Sequence, residues 1–213
     1  MNYEHGVRGV QCKATIVALL GALILVGGCA VAPPAAGPRP ENWASPVPPG
    51  LPNLYRVNSS LYRSAQPLKE GFAFLNTQPR LADTDRPIKT VVSLRAFHDD
   101  GALAPASTEL RLEQIWFKTW HPENEDVVKF LRIATTPAFQ PVLVHCQHGS
   151  DRTGTMVAIY RIAVEGWTKA QATDEMINGG FGFHPMWQNL LRYIEELDVE
   201  AIKAEVARQG TWQ

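Results

Sequence analysis

Cysteine is scarce in this chain. Only Cys12, Cys29 and Cys146 occur among 213 residues, too few for a disulfide framework, so each has to be explained singly. An excess of charge of either sign is also lacking, since 20 Lys and Arg stand against 21 Asp and Glu. A chain so near neutrality has neither the basic excess of a general nucleic-acid binder nor the field that steers a strongly charged partner. Apolar runs are short, and there is no internal repeat. What remains is ordinary globular composition, 45% hydrophobic and 19% charged, in a length sufficient for one domain with a true core and something extra.

The one sustained apolar run, ATIVALLGALILV from Ala14 to Val26, follows a polar start carrying Arg8 and Lys13 and ends in Val26-Gly27-Gly28-Cys29. It falls short of the ~20 apolar residues a spanning helix needs. A basic start, a short apolar stretch and small residues at its end make a secretory signal. Small residues directly before Cys29 resemble the lipobox of bacterial lipoproteins. That resemblance implies removal of residues 1–28 with Cys12, lipidation of Cys29, and anchoring to a membrane in the bacterial periplasm. Plain cleavage and an uncleaved anchor are the alternatives, and all three place the folded part outside the cytoplasm. Residues 29–52 are dense in proline, which builds neither helix interior nor central strand, and are expected to be an extended linker. Globular composition begins at Asn53 and is expected to continue as one domain over 53–213.

Within that domain, LYRVNSSLYRS reads as a strand pair and LKEGFAFLN as a short helix. IKTVVSL (88–94), QIWFK (114–118) and PVLV (141–144) are strand candidates. EDVVKFLRIATT (125–136) has apolar residues at helical spacing, and TMVAIYRIAVEG is an apolar helix closing at Gly166. Thr168 caps a further helix that stops at Asn178-Gly179-Gly180, and 186–206 reads as one or two more. Strands alternating with helices predict an α/β fold with a helix-covered sheet.

The chemistry lies in HCQHGSDRTG, residues 145–154, between the apolar strand and the apolar helix. Five residues separate Cys146 from Arg152. Dephosphorylation through a covalent intermediate needs a thiolate aimed at phosphorus and donors around the phosphoryl oxygens. A loop curled into a helix N-terminus turns successive backbone N–H groups inward, so Gln147, His148, Gly149, Ser150, Asp151 and Arg152 are the expected phosphate-binding residues. Gly149 permits the tight turn, and Arg152 offers a planar fork for two oxygens. Thr153 is expected to donate to the thiolate and His145 to orient the loop through backbone groups. A metal on His145, Cys146 and His148 is disfavoured, because such close spacing does not converge on one tetrahedral ion.

These residues match the H-C-x5-R-[ST]-G signature of the protein tyrosine and dual-specificity phosphatases. NLYRVNSSLYRSAQP, IKTVVSL and YRIAVEGWTKAQATDEMINGGFGF resemble segments of bacterial secreted dual-specificity-type phosphatases. The resemblance spans Asn53 to about Leu197. It implies a dual-specificity-phosphatase-like fold, a central mixed sheet flanked by helices, with no metal. No cofactor is expected, and the protein is expected to be a monomer. Phosphotyrosine on proteins, with phosphoserine and phosphothreonine behind it, is the expected substrate. An inositol-phosphate or phosphoinositide phosphatase, to which the Asp-Arg-Thr run points weakly, is one alternative. A non-catalytic phosphopeptide-binding module is the other.

The leaving oxygen needs a proton, usually from an aspartate on a loop before the signature strand. In KTWHPENEDVVKF, His121 stands where a more distant relative carries that aspartate. Asp126 and Glu123 are the leading candidates, with His121, Glu125 and the pair Asp99–Asp100 behind them. Asp151 is expected to bond a neighbouring backbone group or Arg63, and Arg63 with Ser64 to form a wall behind the loop. His184, Trp187 and Asn189 are candidates for the cleft, Trp187 being more readily a core residue.

Overall fold

A computed structural model describes residues 38–47, 50–77 and 86–208. The predicted signal peptide (1–28), the lipidation site Cys29 and the first part of the linker lie outside them.

Short apolar stretches become the middle of a six-stranded mixed sheet. Its strands are β1 (Ser45–Pro46), β2 (Tyr55–Arg56), β3 (Leu61–Ser64), β4 (Thr90–Ser93), β5 (Arg111–Gln114) and β6 (Val142–His145), in the order β1-β2-β3-β6-β4-β5. β6 is central and runs parallel to β3 on one side and β4 on the other, with His145 level with Ser64 and with Ser93. β5 continues the parallel half, while β1, β2 and β3 pair antiparallel.

Alternation along the strands divides the core between two faces. Val142, Val144, Leu61 and Val92 point to one side, against α2 (Asn124–Thr135), α3 (Asp151–Ala163), α4 (Lys169–Asn178), α5 (Gln188–Glu196) and α6 (Val199–Arg208). Leu143, Tyr62 and Val91 point to the other, where α1 (Lys69–Thr77) contributes Phe72 and Leu75. β6 is fully buried on both faces, as befits a parallel strand covered by helices. Each of its three aliphatic side chains is worth about 1.5–3 kcal/mol on burial, so the strand that delivers the signature loop is among the best-anchored segments. α3 is buried almost all round, and Thr168 caps α4 through a reciprocal capping box with Gln171.

Three sequence expectations need correction. The described residues before Asn53, expected as linker, pack with the domain. Ala44 and Leu51 are buried, and β1 is an edge strand, one of the few sheet positions that tolerate proline. Arg39 donates to the carbonyls of Ala44 and Gly179 at 2.6 Å each, and the Ala44 N–H donates to Glu175. Proline density excluded helix and central strand, but it was silent on an edge held by such long-range bonds. The strand expected over 114–118 lies earlier, at Arg111–Gln114, because beyond the Ile115 N–H bond to Ser93 the chain turns away toward the cavity. Finally, α3 starts at Asp151, inside the signature rather than after it.

Candidate active site

β6 ends at His145, and the chain curls through Cys146–Ser150 into the first turn of α3. Cys146 is buried and unpaired by any disulfide. Arg152, one residue into the helix, lines a cavity of about 420 Å³ together with Gln147, His148 and Asp151. The loop's course depends on Gly149, at φ 71°. A Cβ there would stand 2.5–2.7 Å from the backbone of Ser64 and Ala65, which cannot yield as a flexible side chain would. Only glycine allows the loop to lie this close to the end of β3.

Buried polar groups hold the loop from beneath. Arg63, almost wholly inaccessible, donates to the Gly149 carbonyl at 2.7 Å and lies 3.6 Å from the ring centroid of Phe181. Burial lowers its pKa to about 10, opposed chiefly by the charge of Glu175, and it remains a cation at neutral pH. Asn53, which adopts a left-handed φ of 54°, donates to the carbonyls of His148 and Phe181. The Ser150 hydroxyl donates to the same Phe181 carbonyl at 2.7 Å. The expected wall of Arg63 and Ser64 is therefore present.

His145 is more than a backbone brace. Its Nε2 lies 2.7 Å from Asp100 Oδ2, and Asp100 Oδ1 accepts from Gln66 Nε2 at 2.9 Å. Gln66 in turn accepts from Arg95 at 3.0 Å. Burial works to raise the Asp100 pKa, but the bonds from His145 and Gln66 and the charges of His145 and His98 outweigh it, and the carboxyl is held below its usual range. Arg95, on the cavity wall, has its pKa lowered by burial and then by repulsion from Arg152. Two arginines facing one cavity make a site for an anion.

Not every predicted contact forms. Thr153 is fully buried, but its hydroxyl has no hydrogen-bond partner, so the expected bond to the Cys146 sulfur is not made here. Asp151 does not bond Arg63. Its two oxygens instead take the backbone N–H of His184 at 2.9 Å and face the His184 Nδ1 at 2.8 Å.

The proton-donor candidates lie off the cavity. The turn Lys118–His121 brings Thr119 and Trp120 to the cavity wall, while Glu123 faces Lys118 at 3.3 Å and His121 at 3.6 Å. Asp126 sits in the first turn of α2. Burial, then repulsion from Glu123, raises its pKa. Neither is among the residues that line the cavity, nor are His121, Glu125, Asp99, Asp100 or Cys146 itself. Asp99 accepts from the Gly101 N–H. His184 and Trp187 do line it, Trp187 also packing on the core. Asn189 lies behind, donating to the Thr119 carbonyl at 2.6 Å.

Sequence reasoning passed over Arg95, Gln66, Asn53 and the link between Asp151 and His184. The signal for the last was Gly180-Phe181-Gly182, whose two glycines have φ of 77° and 81° and carry the chain from α4 back onto the phosphate loop. Among the described residues, no group of three His, Cys, Asp or Glu could hold a metal, and no helix is long and apolar enough to cross a membrane.

Comparison with known proteins agrees with this geometry. Residues 53–189 match the family model described as DSP-PTPase phosphatase fused to NAD+ kinase. The dual specificity protein phosphatase TpbA of Pseudomonas aeruginosa is 36% identical over 92% of this chain and 84% of its own. A crystal structure of P. aeruginosa TpbA, a Cys-to-Ser variant in complex with phosphotyrosine, superposes with a TM-score of 0.66 at 33% identity, covering 80% of this chain and 99% of that one. An inositol diphosphatase of Arabidopsis thaliana is 29% identical over 74% of each chain. With the signature loop, the mixed sheet and these likenesses in agreement, the chain belongs to the dual-specificity and tyrosine phosphatase (DSP-PTPase) family.

Proposed function

We propose that this chain is a protein phosphatase that hydrolyses phosphotyrosine through a cysteinyl-phosphate. The observation that carries the reading is the Cys146–Arg152 loop, closed over a helix N-terminus and pressed on β3 at Gly149. A phosphoryl group seated in that loop meets inward N–H groups and the Arg152 fork. Cys146 Sγ attacks phosphorus, the bond to the leaving oxygen breaks with its electron pair, and that oxygen takes up a proton. Water then attacks phosphorus, and the sulfur–phosphorus bond breaks to return the thiolate.

The rim of the cavity supports an aromatic phosphoester on a protein. Phe97, Trp120 and Met186 line it and are largely exposed, and such apolar surface suits a tyrosine ring and flanking peptide. The inositol diphosphatase relative makes the competing substrate worth measuring. Export and anchoring through Cys29 belong to the same reading and rest on the sequence alone, as does the monomeric state. A lipid label incorporated by the wild type and absent from Cys29→Ala checks the anchor.

The test of function is turnover by the full chain of phosphotyrosine peptide, p-nitrophenyl phosphate and an inositol diphosphate, beside Cys146→Ser. The variant is expected to lose at least ~10⁴-fold in kcat while still binding vanadate. Substantial residual hydrolysis would sink the covalent mechanism. A kcat/KM greater on the inositol diphosphate would transfer the site to that substrate class.

A further inference from the structure

Five ionisable side chains line the cavity beside the signature loop: Arg95, His148, Asp151, Arg152 and His184. Arginine does not give up a proton in a protein. Asp151 is buried, with both oxygens engaged by His184. Because a carboxylate only accepts, the hydrogen in the shorter contact lies on His184 Nδ1. That leaves Nε2 as the nitrogen available to a substrate, on a side chain 47% exposed at the cavity wall. The only other histidine there, His148, has its ring centroid 5.6 Å from that of His184. Among the described residues no carboxylate bonds His148.

We propose that His184, oriented by Asp151, is the proton donor to the leaving oxygen, in the role expected of a carboxylate on the Lys118–Glu123 turn. The proposal rests on the phosphatase reading above. Three features carry it. Glu123 is engaged by Lys118 and His121, whereas His184 lines the cavity beside Arg152. Asp151 accepts from both the backbone N–H and the ring Nδ1–H of His184, which holds the imidazole in one orientation. Asp151 also directly precedes Arg152 in the first turn of α3, so one rigid element positions both the phosphate clamp and the acid. The charged groups facing His184 are Asp151 from α3, His148 from the phosphate loop, and Arg152 and Arg95 across the cavity.

The proton balance is simple. As Cys146 Sγ bonds to phosphorus, the leaving oxygen keeps the electron pair of the broken P–O bond and takes the proton from His184 Nε2. Neutral His184, still donating from Nδ1 to Asp151, then accepts a proton from the water that attacks the cysteinyl-phosphate. The sulfur departs as thiolate, and the site is restored.

His184→Asn tests this, because an asparagine amide can still donate to Asp151 while having no proton to transfer. His184→Gln serves as a second variant, and thermal unfolding reports whether each is folded. On phosphotyrosine peptide, whose phenolate is a poor leaving group, kcat should fall by ~10²-fold or more. On p-nitrophenyl phosphate, which needs the proton far less, the loss should be under about tenfold. Vanadate affinity should be unchanged, and the alkaline limb of the wild-type pH–kcat profile should disappear, since it reports deprotonation of the acid. Equal losses on both substrates, or an alkaline limb kept at the same pH, would reduce His184 to a structural clamp and overturn the proposal. If wild type turns over and the variants match it, this inference alone fails. If wild type hydrolyses neither substrate, the phosphatase reading fails and this proposal goes with it.

Discussion

The phosphate loop, 145–154, and the turn Lys118–Glu123 border the same cavity, but they are held differently. The loop is braced from within by Arg63 and Asp100, and it rests on the backbone of β3. The turn is tied from outside, through Asn189 at Thr119, Tyr193 at Asn124, and ion pairs that solvent reaches. Buried bonds of the first kind leave an orphaned polar group when broken, costing about 1–3 kcal/mol each. Surface pairs of the second kind are worth roughly 0–1 kcal/mol. A site built this way keeps phosphate capture rigid and leaves the face toward the leaving group free to vary.

Substitutions on the two sides should separate that contrast, beginning with the largest effect. Arg152→Lys keeps the charge and loses the planar fork, so kcat/KM should fall by ~10²–10³-fold. A drop of less than about tenfold, roughly 1.4 kcal/mol, would remove the clamp role.

Asp100→Asn sharpens the comparison through stability. A carboxyl whose folded pKa is depressed adds stability above its unfolded pKa, and that stability is lost as pH falls through the folded value. The variant should be less stable than wild type by roughly 1.5–3 kcal/mol at neutral pH. The gap should narrow below the ordinary carboxylate range, as read by denaturant unfolding across pH. A gap that is constant with pH would mean that Asp100 does not brace His145 as an anion.

The smallest effect is expected on the opposite wall. Glu123→Gln and Asp126→Asn should each change kcat on phosphotyrosine peptide by less than about threefold, far below the ~10²–10⁴-fold of a general acid. A large, leaving-group-dependent loss in either would return the acid to that turn and remove the distinction between the two walls.

Most strands and helices were legible because their signals are local. β4 and β6 are short runs rich in valine and leucine, β3 follows the turn-like Asn58-Ser59-Ser60, α2 carries helical spacing, and Thr168 stands three residues before Gln171. The signature was legible for the same reason, since strand, loop and helix N-terminus are contiguous. Misreadings came where a partner distant in sequence decides the outcome. β1 exists because β2 accepts it and because Arg39 and Glu175 reach it from outside the strand. Asp151 was expected to bond a neighbouring backbone group or Arg63, and it takes a backbone N–H 33 positions away, because nothing near it in sequence announces His184.

The sequence by itself determined the signature loop from Cys146 to Arg152, its glycine turn and the α/β class, since each depends on a few neighbouring residues and their short-range geometry. Only the tertiary structure decided that residues before Asn53 join the domain, that His145 rests on Asp100, and that His184 lines the cavity. Those contacts join residues 33 or more positions apart, and their distances are set by how the sheet and its helices pack, which no local pattern of residues encodes.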